Sequence, residues 1–569
     1  MEYPQSISFM NNTPFSRREF IKRGALITGA SLAGGGLASW NGFANGSAVR
    51  RPGAAIAAGP FQATWDSLAQ NYHCPAWFRD AKFGIWAHWS AQCVPEQGDW
   101  YARRMYLQGD PAYDYHVRTY GHPSKFGFMQ IDHLWSADGW EPEKLMDLYV
   151  RAGAKYFMSL ANHHDNFDCY DSKYHAWNSV NVGPKKDIVG TWAKIARERG
   201  LRFGVSNHSA HAWHWFQVAY GYDGEGPLAG VRYDAYTLTK SGGKDQWWEG
   251  LDPQELYTGR NIVIPDGIRG IKAVQRWHEQ QDRPWTEEPP PRNPDFTRTW
   301  FLRCRDLVDK YQPDLVYFDD IGSLPLGQAG LDIAAHYYNS NIALHHGNLE
   351  GIITVKGLDA VRRTATVPDY ERGVANGIQT LPWQTDTCIG DWHYSRWIAE
   401  NNRYKTVPQV VHLLTDIVSK NGNLMLNIPV RGNGAIDEHE VAFLKGLADW
   451  MDVNGEAIFA TRPWKVYGEG PTREQAGMFS ENHHGHYTPE DMRFTAKAGA
   501  LYAIVLAWPT SGLNIKSLGT TTGLWDKPVA SVSLLGSDET IQWSRTDRAL
   551  VISQPKKPPN DFAVVFKIT

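Results

Sequence analysis

Pro313-Asp-Leu-Val-Tyr-Phe-Asp-Asp320 is an apolar run closed by two adjacent carboxylates. Residues Leu315–Phe318 read as a strand. Phe296–Tyr311, just before them, carries apolar residues at spacings of three and four, as a helix does. The same helix-then-strand unit recurs on both sides. Lys144–Ala152 reads as a helix before the strand Lys155–Ala161, and Ile188–Arg199 as a helix before Leu201–Ser206. Lys82–His88 and Gly351–Val355 are further strands, and the helix Val407–Ser419 precedes the apolar run Asn423–Ile428. Strands separated by helices pair in parallel, which argues for a barrel or a doubly wound sheet. Polar residues follow the strands: His88, His163 and His164, Asn207 and His208, Asp319 and Asp320. The C-terminal ends of the strands are where a (β/α) barrel builds its active site.

Two segments depart from this rhythm. Residues 209–295 are rich in Gly, Pro, Trp and Tyr, show little helical periodicity and end in the triple proline 289–291. So long an insertion is expected to be a functional loop or lid. Helix Glu438–Val453 is expected to close the barrel. Beyond Trp464 come short alternating runs at Leu501–Leu506, Val529–Leu534, Thr540–Trp543, Ala549–Ile552 and Phe562–Ile568, the pattern of an antiparallel β-sandwich. The expected domains are an export segment and linker over 1–59, a catalytic barrel over 60–465 and a sandwich over 466–569.

A net charge of −4 argues against a nucleic-acid binder. Arg17-Arg18 before a short Gly/Ala-rich run from Gly24 to Ala38 resembles a twin-arginine export signal, with cleavage expected in 44–59 and a periplasmic or extracellular destination. No other segment is apolar and long enough to be a membrane span. The five cysteines are widely spaced, with no CxxC, and sequence cannot pair them. Of 25 Trp, 21 lie between Trp65 and Trp464. Aromatic faces suit the C–H faces of sugars, although a Trp-rich core explains the count equally well.

Two carboxylates in one cleft suffice to cleave a glycoside. Asp319 is the candidate nucleophile; the alternative for an Asp at a strand end is to cap the next turn. His163 and His164 could ligate a metal, but neighbours on an extended backbone point apart, and a third ligand is needed. His208, His211 and His214 have the spacing of one helical face. Sugar-hydroxyl recognition suits these imidazoles better than metal binding, because each can donate one hydrogen bond and accept another. His483, His484 and His486 read as an exposed polar loop. No P-loop and no GxGxxG are present, which weakens kinase and dehydrogenase readings.

Trp77-Phe-Arg-Asp-Ala-Lys-Phe-Gly-Ile-Trp-Ala-His-Trp89 resembles the opening strand of glycoside hydrolase family 29, the α-L-fucosidases. Gly98-Asp-Trp-Tyr101, His163-His-Asp165, Pro313–Asp319, Asp416–Asn427 and Asn454–Ile458 with Thr461–Trp464 are similar to later blocks of that family, in its order. The resemblance spans roughly residues 65–465. It implies a (β/α)8-like TIM barrel followed by a C-terminal β-sandwich, and a retaining mechanism that needs neither metal nor cofactor. It also implies a fucosylated oligosaccharide or polysaccharide as substrate. Carried over residue by residue, Asp319 is the nucleophile; His88, Trp100, His163 and His164 contact the fucose ring; and Tyr317 sits beside the nucleophile. The acid/base is placed at Glu371 in Asp369-Tyr-Glu-Arg-Gly373, with Glu350 and Asp386 in reserve. Asp99 stands where the family has Glu, and Tyr317 where it usually has Trp. An L-galactosidase on the same scaffold and a non-catalytic carbohydrate-binding protein are the alternatives. Trp213, Trp215, Trp247 and Trp248 are the expected aglycone platform.

Overall fold

The computed structural model describes residues 55–282, 293–473, 475–481, 486–560 and 562–569. Residues 1–54 of the expected export segment and linker, the triple proline 289–291, His483 and His484 lie outside them. Eight parallel strands close into a barrel in chain order: β1 (Phe83–Ala87), β2 (Tyr156–Asn162), β3 (Arg202–Asn207), β4 (Leu315–Ile321), β5 (Ile352–Lys356), β6 (Val367–Glu371), β7 (Trp383–Cys388) and β8 (Gly422–Asn427). Closure is made by β1 against β8, with Trp86 opposite Asn427. Five of the six strands expected from sequence match within two residues at either end, whereas β4 runs three residues beyond the expected end. Neither β6 nor β7 is on the expected list.

Strands covered on both faces tolerate continuous apolar sequence, and all five residues of β1 are buried. Successive side chains alternate between the barrel interior and the outer helices. Trp86, Met158, Leu315, Tyr317, Ile352 and Val367 form one buried interior cluster. Gly84 faces it across from Tyr156; a methyl group there would lie 2.5 Å from that ring.

The outer helices are firmly started. Helix Val407–Ser419 opens with a capping box in which the Gln409 amide donates to Thr406 Oγ1 and the Thr406 amide to Gln409 Oε1. Helix Glu438–Asn454 repeats the device with Asp437 and Glu440. Helix Gln328–Leu344 joins β4 to β5. The 209–295 insertion connects β3 to β4. It is largely short helical turns, but Ile271–Gln281 is a regular helix, contrary to the expected lack of periodicity.

β9 (Arg462–Glu469), β10 (Met492–Lys497), β11 (Ala500–Val505), β12 (Leu513–Ile515), β13 (Val532–Leu534), β14 (Trp543–Arg545), β15 (Leu550–Ile552) and β16 (Val564–Ile568) form two antiparallel sheets, ordered β13-β16-β11-β10-β9 and β12-β15-β14. They share an apolar core that includes Phe494, Val505, Leu550 and Phe566. A buried ion pair ties this region to the barrel: Arg493 on β10 donates to Asp416 at 2.6 Å, and Lys420 contacts the same carboxylate at 2.7 Å. Burial alone would raise the Asp416 pKa, but the two cations outweigh it and hold the carboxyl low. All five cysteines are free thiols. No described helix is long and apolar enough to cross a membrane.

Candidate active site

Strand alternation builds the site. Leu315, Tyr317 and Asp319 share one face of β4, as do Ile352, Thr354 and Lys356 on β5, and Val367, Asp369 and Glu371 on β6. The lower members of each set lie in the interior cluster, so the last members meet at the barrel's C-terminal mouth. Parity therefore selects Asp319, not Asp320, as the inward carboxylate.

Lys356 Nζ lies 2.6 Å from Asp319 Oδ1 and 2.6 Å from Glu371 Oε2. Contacts to one nitrogen keep those two carboxylate oxygens no farther apart than twice that distance. The other oxygen of Asp319 lies 3.1 Å from His208 Nδ1 and 3.3 Å from His164 Nε2. Burial would raise the Asp319 pKa. The Lys356 charge and the two adjacent histidines reverse that and hold it well below the usual carboxylate range. Glu371 is pushed the other way: burial raises its pKa, Lys356 opposes, and the Asp386 and Asp319 charges add to the rise. Carboxyl groups whose pKa values are driven apart in this way can divide the work of acid and nucleophile between them.

Around them lie neutral imidazoles. Burial lowers the pKa of His88 and His163, and brings His208 down to about 4. His163 and His164 both reach the site, with ring centroids 4.3 Å apart. The expectation that they diverge fails because β2 ends at Asn162 and the chain turns. Gln92 Nε2 contacts His163 Nδ1 at 2.9 Å, and His164 Nδ1 contacts the His208 carbonyl at 2.9 Å. His88 packs against Trp86 and Trp392. Trp100 takes a left-handed backbone, φ 62°, and sets its ring edge-on to His164 and Trp215. Tyr317 donates to Asp386 at 2.9 Å, deeper in the barrel.

The shared helical face expected for His208, His211 and His214 does not form. A 3-10 turn Ser209–His211 breaks it, and the three rings serve the Asp319 carboxylate, the Asp319 carbonyl and the Asp282 carbonyl respectively. The reserve Glu350 precedes β5, at the opposite end of the barrel, and pairs with Arg202. Trp213, Trp215 and Trp248 are buried, and Trp247 stacks on His133, so the insertion does not offer these rings as an open platform. Residues not picked out from the sequence complete the site: Lys356, Gln92 and His393. His393 contacts Asp99 at 2.7 Å and lies 4.8 Å, ring to ring, from His163. A Lys closing the apolar run Ile352–Val355 was the available signal for Lys356.

Among the described residues, three overlapping sets have donor atoms close enough to hold a metal ion: His88, His163 and His208; Asp99, His163 and His393; and His164, His208 and Asp319. In the third, Lys356 already places a positive charge against Asp319, which disfavours a second cation. The first offers neutral donor–acceptor rings, which suit sugar hydroxyls.

The sequence profile for α-L-fucosidase matches residues 49–456, and that for the α-L-fucosidase C-terminal domain matches residues 486–569. The tissue α-L-fucosidase of Homo sapiens is 27% identical over 516 residues, covering 89% of this chain and 91% of its own length. An α-L-fucosidase of Branchiostoma floridae is 27% identical over 494 residues, covering 84% of this chain and 90% of its own. The α-fucosidase of Thermotoga maritima, solved with a mechanism-based inhibitor, superposes with a TM-score of 0.63 at 25% identity, over 89% of this chain and 99% of its own. The same enzyme solved with fucose gives 0.61, over 90% and 100%. With a closed eight-stranded barrel, two inward carboxylates at its mouth and both profiles matched in order, the chain belongs to the α-L-fucosidase family, glycoside hydrolase family 29.

Proposed function

We propose that the chain is an exo-acting retaining α-L-fucosidase in which Asp319 is the nucleophile and Glu371 the acid/base. One observation carries the assignment: the two carboxylates share Lys356 Nζ at 2.6 Å each. Oxygens held that close match the roughly 5–5.5 Å separation of retaining enzymes, and leave no room for the water of an inverting one, which needs about 6.5–9.5 Å. In the first step an Asp319 oxygen bonds to the anomeric carbon. The glycosidic C–O bond breaks, and Glu371 gives its proton to the departing oxygen. In the second step Glu371 takes a proton from water, whose oxygen displaces Asp319 and releases fucose in the α configuration. Negative charge thus moves from Asp319 to Glu371 and back, and Lys356 touches both, so its charge is compensated at either stage.

His88, Trp100, His163 and His164 form the wall that meets the fucose ring, and Tyr317 lies beneath. The substrate is a fucosylated oligosaccharide or polysaccharide. Residues 1–59 act as a twin-arginine export segment, the catalytic barrel spans 60–465 and the sandwich 466–569. Proton NMR of the first sugar released tests the mechanism. The α anomer is expected before mutarotation, and initial release of the β anomer contradicts it. Glu371→Ala should spare activated aryl fucosides relative to natural glycans and be rescued by azide; equal loss on both, without rescue, refutes the acid/base role.

A further inference from the structure

The leaving sugar must depart past the group that protonates it, so the surface beside Glu371 faces the aglycone. That surface comes from the C-terminal region. In the connection between β9 and β10, the Gly477 amide donates to the Val374 carbonyl at 2.9 Å, the Phe479 amide to the Glu371 carbonyl at 2.8 Å, and the Glu481 amide to the Arg372 carbonyl at 2.9 Å. The segment is a turn docked by its backbone against the end of β6, with one isolated antiparallel bridge between Gly477 and Val374. Buried Glu481 anchors it through Lys405 at 3.1 Å and the Thr387 hydroxyl.

Phe479 stands at the centre of this docked segment with two costs concentrated on it. The residue is 47% exposed, and its φ of 57° is a conformation that bulky residues rarely adopt. Such strain persists only where the surroundings impose it, and it gathers at ligand-contacting positions. On β4, one strand beyond β5, Ile321 is paired in register with Lys356 and is 53% exposed. Meanwhile the Trp213, Trp215 and Trp248 rings of the insertion are buried in the fold.

We propose that Phe479 is an aglycone platform, presenting its ring to the C–H face of the sugar on the leaving side of the scissile bond. This rests on Glu371 being the acid/base. The C-terminal region then contributes directly to substrate choice.

The test compares α-L-fucosyl fluoride, whose leaving group carries no sugar, with a panel of fucosyl disaccharides. Phe479→Ala is expected to lower kcat/KM on at least one disaccharide about tenfold more than on the fluoride, the scale of an aromatic stacking contact. Phe479→Trp should restore the disaccharide rate. Phe479→Gly, which relieves the left-handed backbone, should lose the same selectivity with no fall in Tm. Equal loss on fluoride and every disaccharide, or no loss on any, overturns the platform while leaving the α-fucosidase reading intact. A wild-type enzyme inert towards the fluoride overturns both.

Discussion

Lys356→Gln removes one positive charge from between two carboxylates while keeping a hydrogen-bond donor on a shorter side chain. Both contacts are 2.6 Å, nitrogen to oxygen. Unit charges about 4 Å apart interact by about 4 kcal/mol at an effective dielectric near 20. Water admitted by the shorter side chain screens part of this, and an opposite charge at such range shifts a carboxyl by about 1–3 pH units. The sign is fixed. Lys356 lowers both carboxyl pKa values, so its removal raises both. In the proposed mechanism Asp319 is ionised and Glu371 protonated at the start of the reaction. The acid limb of kcat/KM therefore moves up by about 1–3 pH units, and the alkaline limb follows it. The limbs report the coupled pair rather than either residue alone. The plateau falls about 100-fold, as for loss of one preorganised electrostatic partner. The assay is a pH–rate profile on α-L-fucosyl fluoride, with Lys356→Arg as the charge-retaining control. Limbs that stay in place in Lys356→Gln, or move to lower pH, refute the bridging role. So does an Arg variant that shifts as far as the Gln variant.

Asp416→Ala removes the buried carboxylate that Arg493 and Lys420 share and is expected to destabilise by about 3–5 kcal/mol, read as a lowered denaturation midpoint. His208 titrates at about 4 in the fold against about 6.5 when unfolded, so the unfolded chain takes up its proton first. That contribution is complete above about pH 6.5 and costs up to about 3 kcal/mol as pH falls to about 4; His208→Asn should flatten this part of the Tm–pH curve. A methyl group at Gly373 would lie 1.9 Å from the Gly477 carbonyl oxygen. Gly373→Ala should therefore push the β9–β10 connection off the barrel and reproduce the Phe479→Ala selectivity in the same substrate panel.

The barrel was legible wherever its strands are apolar, as in Phe83-Gly-Ile-Trp-Ala87 and Leu315–Phe318. It was not legible at β6 and β7. Val367-Pro-Asp-Tyr-Glu371 contains a proline, and Trp383-Gln-Thr-Asp-Thr-Cys388 is mostly polar although all six residues are buried. Their inward positions hold Asp369, Glu371, Gln384 and Asp386, joined by hydrogen bonds such as Gln384 to Asp369 at 3.0 Å, so function has replaced the hydrophobic signal. Helix Gln328–Leu344 was hidden for a related reason: nine of its residues are buried, which blurs the one-sided pattern of a surface helix. Asp319 and Glu371 could be proposed from position and resemblance. Lys356 required parity across β5 to be recognised. The Trp-rich insertion misled, because tryptophan serves a core as readily as a sugar site and composition cannot say which.

The nucleophile is tested most directly by trapping. Incubation with a 2-deoxy-2-fluoro-α-L-fucosyl donor, followed by proteolysis and mass spectrometry, should place one fucosyl ester on the peptide containing Asp319, and Asp319→Ala should take up no label. A label on Glu371 or Asp320, or turnover in Asp319→Ala comparable to wild type, would contradict the assignment.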